Sequence, residues 1–543
     1  MQLRKHQREF KDIIDRIKSG SDIRHIYLHV TPGGGKSAIP IISGELVKTG
    51  LADAICWIVP RLTLAYQAET NFADPFFREM LGHNLSIRSS TNETNPCRGQ
   101  HGFVTTYQAI GVDDKKTALR DFDRKRYILI LDEFHHCEEK GVWHKAIDPL
   151  VERAQYVIFM TGTLSRGDGK KIAWTPYRNY GEKFLPALSG ENVVKYNRSD
   201  ALGERAILPL RFSLYDGHIE YEKTTGETVS GSLSDQYKDT GDAIYTALNT
   251  DFANQLLQEG LDHWGNYRKR HNRSKVIVVT ANIAHGKTIL GKVKSWGFLA
   301  KIAASDDRAA QKTLKEFKTG NLDILVCIAM AYEGFDCKPL THVIALTHIR
   351  SVPWIEQMVA RSVRIDPHAG PYETQAGYIF APDDPLFRRV VDQIKKEQNQ
   401  LATDSETKGK NTNNGNGEKE QDVIPIGGSI TGHREILFGY GDTLSESVII
   451  TISDQERALR EKIFKHVREF SFRNYYNPKR INAEIKGYAQ KPRSDMTLKE
   501  LRSLLLYVES VYPLDRKSEP MAGISHARGK DKRVPTQATL WKM

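Results

Sequence analysis

Lys36 closes a glycine-rich segment, Thr31-Pro32-Gly33-Gly34-Gly35-Lys36-Ser37, and far downstream comes Leu131-Asp132-Glu133-Phe134-His135-His136. Glycines let backbone N–H groups turn in around phosphate oxygens, and a following helix N-terminus adds partial positive charge. Lys36 has the reach for β/γ oxygens, and the Ser37 hydroxyl suits Mg²⁺. Asp132 could complete the shell of that ion while Glu133 orients an attacking water. Together these residues read as equipment for hydrolysing a nucleoside triphosphate with Mg²⁺.

Such chemistry needs a strand before the loop and a helix after it. The apolar run His25-Ile26-Tyr27-Leu28-His29-Val30 precedes the glycines, and Ala38-Ile39-Pro40-Ile41-Ile42 follows. Arg126-Tyr127-Ile128-Leu129-Ile130-Leu131 supplies a second buried strand, ending at Asp132 and Glu133. The general phosphate-loop pattern has glycine where this chain has Val30, while Gly33-x-Gly35-Lys36-Ser37 is kept. The alternative for the glycines alone is a tight loop without a ligand. Asp132, Glu133, His135, His136, Cys137 and Glu138 also resemble a metal cluster in composition. Their place on a strand end behind a phosphate loop favours Mg²⁺ with ATP over zinc.

A chain of 543 residues exceeds what one core holds, roughly 250 to 300 residues, so about three domains are expected. The longest apolar run, Ile324 to Ala331, falls short of the roughly 20 residues of a membrane span. The charged N-terminus does not read as a signal peptide. Five cysteines without a C-x-x-C pair predict reduced thiols, no structural zinc and a cytoplasmic protein. Net charge is +11, and residues 451–543 hold 20 Lys/Arg against 11 Asp/Glu. A polyanion would meet that end first, although a solvated basic face accounts for it too.

Strands alternate with helical patterns from Gln2 to about Asn197, which predicts an α/β lobe with a mostly parallel sheet. A second series, from near Leu208 to Phe380, predicts another. Boundaries are expected at 1–197 and 198–399, followed by a flexible polar linker at 400–425. Residues 426–543 are expected to form a basic, mainly helical module with a tail. Within it, Asp454 to Phe472 and Met496 to Val511 have helical spacing, and Thr497 with Glu500 forms a candidate capping box.

The remaining segments narrow the type of engine. Gln7, in Leu3-Arg4-Lys5-His6-Gln7, has an amide that can bond adenine N6 and N7. Arg61, Thr105 with Thr106, and Thr161 with Thr163 all stand at or just beyond strand ends, where ligands meet an open parallel sheet. In the second lobe, Glu333-Gly334-Phe335-Asp336 follows a buried strand. Gln357, Arg361 and Arg364 follow on a predicted helix, the two arginines sharing a face as candidate arginine fingers. The alternative for that pair is a solvated helix face.

These blocks, in this order over residues 2 to 367, resemble the superfamily 2 helicases, with a DExH-type box and features similar to restriction-type and RadD-like DNA helicases of bacteria and phages. The resemblance implies two RecA-like lobes that close on ATP while nucleic acid crosses both. It implies that Gln7 reads adenine, that Gly33, Gly34, Gly35, Lys36 and Ser37 hold phosphate and Mg²⁺, and that Asp132 supports Mg²⁺ while Glu133 activates water. Thr161 and Thr163 would couple hydrolysis to strand binding, and Gly334, Asp336, Gln357, Arg361 and Arg364 would complete the site from the second lobe. The chain departs from the family in Thr161-Gly162-Thr163, where Ser-Ala-Thr is usual, and in having no cysteine after Cys337 for a RadD-like zinc module.

The expected function is an ATP-dependent DNA helicase or translocase in replication, repair or defence. An RNA-remodelling ATPase and a nucleic-acid-binding switch are the alternatives, separable by sugar preference and by strand separation. No nuclease constellation is evident. Tyr475, Tyr476, Lys479, Arg480, Lys486, Lys491 and Arg493 interleave rings and cations as single-strand binders do, or belong to a helical core. At the C-terminus, Gln537-x-x-Leu540-Trp541 resembles a sliding-clamp docking peptide, against the alternative of a tail packed on its own domain.

Overall fold

The computed structural model describes residues 3–82, 84–113, 116–166, 168–180, 183–235, 239–304, 310–328, 336–399, 423–436, 452–474, 476–493 and 496–514. The clamp-like tail, Tyr475, Gly334 and most of the expected linker lie outside them.

The first lobe carries β1 (His25–Val30), β2 (Ala54–Val59), β3 (Arg88–Ser89), β4 (Gly102–Thr106), β5 (Tyr127–Asp132) and β6 (Tyr156–Thr161). After a separate hairpin of β7 (Tyr177–Tyr180) and β8 (Lys183–Pro186) comes β9 (Val193–Tyr196). The sheet runs β3-β4-β2-β5-β6-β1-β9, with every pairing parallel. Helices cover both faces, so the central strands are apolar at successive positions, and β2 and β6 are buried throughout.

The second lobe has β10 (Leu210–Lys223), β11 (Thr228–Ser232), β12 (Lys275–Thr280), β13 (Ala300–Ala303), β14 (Ile324–Cys327), β15 (Leu340–Leu346), β16 (Gly377–Pro382) and β17 (Val423–Ile436). The order is β11-β10-β16-β15-β12-β14-β13, with β17 along β10. The β16 to β13 portion is parallel, whereas β11 and β17 join β10 antiparallel. Thus the fold is α/β, with two RecA-like parallel-sheet lobes and a helical C-terminal region.

β17 corrects one expectation. Residues 423–436, read as the end of a linker and the start of a helical module, form a 14-residue strand of the second sheet. Gly427, Gly428 and Gly432 conceal it at the level of periodicity, because strand glycines bring no side chain to an alternating pattern. A Cβ at 428 would stand within bonding distance of the Thr250 hydroxyl, so the smallest residue lets the strand approach the sheet's helical cover.

Helices Ile452–Arg473, Pro478–Ala489 and Leu498–Val511 surround their own core of Ile463, Val467, Ile481, Ile485, Leu501, Leu504 and Val508. The capping box forms: the Glu500 N–H donates to Thr497 Oγ1 at 3.3 Å, and Thr497 N–H donates to Glu500 Oε2 at 2.7 Å. Arg98 of the first lobe, with φ of 43°, donates to the Met496 carbonyl at 3.0 Å and fastens this bundle to the β3 edge. Several cations singled out in the sequence have internal partners. Lys491 pairs with Glu500, Arg480 with Glu484, and Arg493 donates to Asn482. Tyr476 is half-exposed beneath Arg480.

Candidate nucleotide site

β1 delivers the chain into the glycine loop, which turns because Gly33 and Gly35 take φ of 91° and 94°. Gly34 N–H closes back on the Thr31 carbonyl at 2.8 Å. Lys36 and Ser37 then begin a short 3₁₀ turn, Lys36–Ala38, that runs into helix Ile39–Lys48. The loop is therefore a strand-to-helix turn of the kind that exposes backbone donors to phosphate.

The N-terminal helix, Lys5–Lys18, braces this loop from outside. Arg4 Nη1 donates to the Gly34 carbonyl at 2.7 Å, and Gln7 Nε2 donates to the Gly35 carbonyl at 3.3 Å. Gln7 Oε1 accepts from the Arg4 N–H at 2.9 Å. A side chain on residue 35 would collide with Arg4, its Cβ falling 2.7 Å from Nη1. Arg4 has no role in the site expected from the sequence, although its place one helical turn before Gln7 marks it. The same helix is tied to the segment joining the lobes. Glu204 Oε2 accepts from Lys5 N–H at 2.9 Å and from the Tyr196 hydroxyl at 3.0 Å, and Arg8 pairs with Glu204 at 2.9 Å.

Asp132 and Glu133 emerge at the end of β5, beside the loop. Glu133 has φ of 51°, a left-handed conformation rare for a residue with a Cβ. Its carboxylate forms an ion pair with Lys36. Glu133 Oε2 accepts the Gly162 N–H at 3.0 Å and lies 3.3 Å from Thr161 Oγ1, which is 2.8 Å from His135 Nδ1. Burial works against ionisation of Glu133, but Lys36 and His135 outweigh it and hold the carboxyl well below its usual range. Gly162 leaves little room for a side chain, since a Cβ there would stand 3.0 Å from Pro32 Cγ and 3.4 Å from Lys36 Nζ. His135, absent from the expected catalytic set, belongs to this cradle.

Asp132 differs from its neighbour. Its Oδ1 is buried without a hydrogen-bond partner, and desolvation raises the carboxyl to about 6 despite the nearby Lys36 charge. A buried oxygen acceptor of this kind, next to a loop carrying Ser37, fits a hard divalent cation such as Mg²⁺. Thr163 Oγ1 is likewise buried without a partner.

From the second lobe, Arg364 Nε donates to Asp336 Oδ1 at 2.8 Å. Burial opposes ionisation of Asp336, and Arg364 overcomes it, so the carboxyl lies below its ordinary value. The Arg364 guanidinium also abuts Gly33, leaving no space for a side chain there. Ile207 and Val363 pack on the same glycine, with the hypothetical Cβ at 3.1 and 3.2 Å. Leu208 N–H donates to the Val363 carbonyl at 2.8 Å, joining connector to second lobe at this point. Gln357 is buried on helix Val352–Val359, and Arg361 lines a small cavity with Ile277, Val279, Cys327 and Met358. The two arginines are thus placed differently: Arg364 meets the phosphate loop, whereas Arg361 lies at the strand ends of its own sheet.

The remaining expected residues are dispersed. Arg61 precedes helix Leu62–Phe72 at the end of β2. Thr105 is buried and lines a cavity with Ser90, Asn92 and Glu93, while Thr106 accepts the Ala109 N–H at 3.1 Å and caps a short helix. All five cysteines are buried free thiols. Among the described residues no helix is long and apolar enough to cross a membrane.

Residues 1–166 match the family model of the type III restriction enzyme res subunit, and residues 253–366 match the helicase conserved C-terminal domain. An uncharacterized protein of Mycobacterium leprae (strain TN) is 22% identical over 383 residues, covering 68% of this chain and 61% of that protein. An uncharacterized protein of Mycobacterium tuberculosis (strain H37Rv) is 22% identical over 393 residues, covering 70% and 62%. The chain therefore spans about three-fifths of the length of these relatives. Among solved structures, the type ISP restriction-modification enzyme LlaBIII bound to DNA aligns with TM-score 0.43 and 16% identity, over 70% of this chain and 28% of that one. The DUF1998 helicase MrfA bound to DNA aligns with TM-score 0.46 and 13% identity, over 73% and 51%. The phosphate loop and the Asp132-Glu133 box thus fall in a region matching a restriction-enzyme res subunit, and the Arg364 region in one matching a helicase C-terminal domain, the two halves of a restriction-type superfamily 2 helicase motor.

Proposed function

We propose that the protein is an ATP-dependent DNA helicase or translocase in replication, repair or defence. Its two lobes would be residues 1–197 and 198–399, the second completed by β17. The observation that carries this reading is the packing of Arg364 against Gly33, which brings a cation of the second lobe to the phosphate loop of the first. Hydrolysis then depends on lobe closure, as a motor requires.

Lys36 and the loop N–H groups would hold the phosphates, and Ser37 with Asp132 would hold Mg²⁺. When bound, that ion neutralises charge on the β and γ oxygens. Glu133, kept ionised by Lys36 and His135, orients the attacking water and accepts its proton. Arg364 stabilises charge spreading over the γ-phosphoryl group, and Arg361 and Gln357 are assigned to the same site. Asp336 orients Arg364, and Gly334 belongs to the same segment. Gln7 holds the loop and reads adenine. Arg61, Thr105, Thr106, Thr161 and Thr163 are assigned to strand contact and coupling. The match to a restriction-enzyme subunit supports DNA over RNA as the track.

The test is steady-state ATP hydrolysis without polymer and with single-stranded DNA, duplex DNA or RNA, beside Lys36→Ala. Stimulation by DNA that is abolished in the variant is the expected result. RNA-selective stimulation would reassign the protein to RNA remodelling, and DNA-stimulated hydrolysis without translocation or strand separation would make it a switch.

A further inference from the structure

The segment after Thr163 does something the motor motifs do not explain. It folds back onto the box loop as a short backbone ladder: Glu139 N–H donates to the Lys171 carbonyl and Ala173 N–H to the Cys137 carbonyl, each at 2.9 Å, around an antiparallel bridge of Glu138 with Ile172. Arg166 Nη1 adds bonds to the carbonyls of His135 at 2.9 Å and His136 at 2.7 Å. Tyr27 holds the far end, donating its hydroxyl to the Trp174 carbonyl at 2.8 Å. Directly beyond this anchor stands the β7–β8 hairpin, a two-stranded sheet apart from both main sheets.

The hairpin displays apolar surface that the fold does not use. Phe184 is 50% exposed and Leu185 52% exposed. Register places Asn179 opposite Phe184 and Arg178 opposite Leu185, so an exposed cation neighbours the leucine on one face. On the other, Lys171 lies 3.9 Å from the Phe184 ring centroid. Residues 166–188 contain five Lys/Arg and two Asp/Glu. Two apolar side chains are far too few for a stable protein interface, which buries roughly 1,200–2,000 Å². An exposed ring beside a cation matches what a single strand needs, a stacking platform next to a phosphate contact.

We propose that the β7–β8 hairpin is a single-stranded DNA contact, with a base on Phe184 and a phosphate near Lys171, wired to Glu133 through the 137–139 and 171–173 ladder. The inference rests on the reading of the chain as a DNA motor and adds the element that reports strand occupancy to the hydrolytic box. Movement of the DNA against Phe184 pulls on the carbonyls of His135 and His136, two and three residues from Glu133.

The experiment uses the full chain with Phe184→Ala and Phe184→Trp. Anisotropy would be measured with fluorescein-labelled oligothymidylate, an abasic oligonucleotide of equal length and oligouridylate, beside ATPase titrations. Phe184→Ala is expected to weaken oligothymidylate binding about five- to ten-fold and to raise the DNA concentration for half-maximal stimulation in proportion. Phe184→Trp restores both, while abasic binding and the polymer-free ATPase rate stay unchanged. Wild-type affinity in Phe184→Ala, equal loss on the abasic strand, or an effect confined to oligouridylate overturns the proposal. A wild-type chain that neither binds nor responds to DNA fails the motor reading and the hairpin with it; a DNA-stimulated wild type matched by Phe184→Ala fails the hairpin alone.

Discussion

Arg364 reaches Gly33 across the lobe boundary while its Nε is held by Asp336 at 2.8 Å. The carboxylate fixes the guanidinium, and the absent Cβ at 33 admits it. Neither residue explains the contact without the other.

Arg364→Ala is expected to lower kcat for ATP hydrolysis by about 10²- to 10³-fold, the scale for removing one charge-stabilising donor. Nucleotide KM should change far less, because loop and Lys36 remain. Steady-state kinetics decides it: an unchanged kcat removes Arg364 from the reaction.

The raised carboxyl of Asp132 makes metal-free stability depend on pH. Its folded value of about 6 exceeds the ordinary 3.8, so the stability it contributes is complete below 3.8 and is lost as pH rises through 6. Asp132→Asn, which mimics the neutral acid, should therefore raise the melting temperature in EDTA at pH 8 and make little difference near pH 4. Mg²⁺ should stabilise the wild type at pH 8 and not the variant. A variant that melts below wild type in EDTA at pH 8 contradicts the assignment.

Thr161→Val removes the hydroxyl between His135 and Glu133 at near-constant volume. Hydrolysis is expected to fall about ten-fold, less than the roughly 10²- to 10⁴-fold for loss of an acid–base group, because Glu133 itself remains. Fluorescent-nucleotide affinity should stay within a factor of two, and equal loss of affinity would mean the hydroxyl serves the loop instead.

Glu204 links helix Lys5–Lys18 to the connector through bonds from Lys5, Arg8 and Tyr196. Glu204→Ala should cost about 1–2 kcal/mol of stability, discounted because the pair with Arg8 is half in solvent. Looser bracing of Gly34 and Gly35 should also weaken nucleotide binding. Chemical denaturation and nucleotide titration measure the two effects, and a variant altered in neither would detach the helix from the site.

The strands that carry the chemistry were legible because parallel strands covered on both faces are continuous apolar runs. β2, β5 and β6 each show one, β1 keeps alternating buried apolar positions, and β5 ends at the expected box. The hairpin and β17 were not legible. Their pairing depends on distant or out-of-sheet partners, and glycines or exposed rings interrupt alternation in them. Likewise Arg361 and Arg364 looked equivalent at helical spacing, and only the connector's approach through Ile207 and Val363 sets Arg364 apart. His135 could be read as part of the box, but not its bond to Thr161, which needs two adjacent strand ends.

β17 runs along β10 from Phe212 to Lys223, satisfying that edge of the second sheet with residues far later in the chain. A truncation ending at residue 399 would keep every motor motif and leave that edge open for pairing between molecules. Such a fragment should self-associate in light scattering, so the smallest well-behaved motor extends through Ile436.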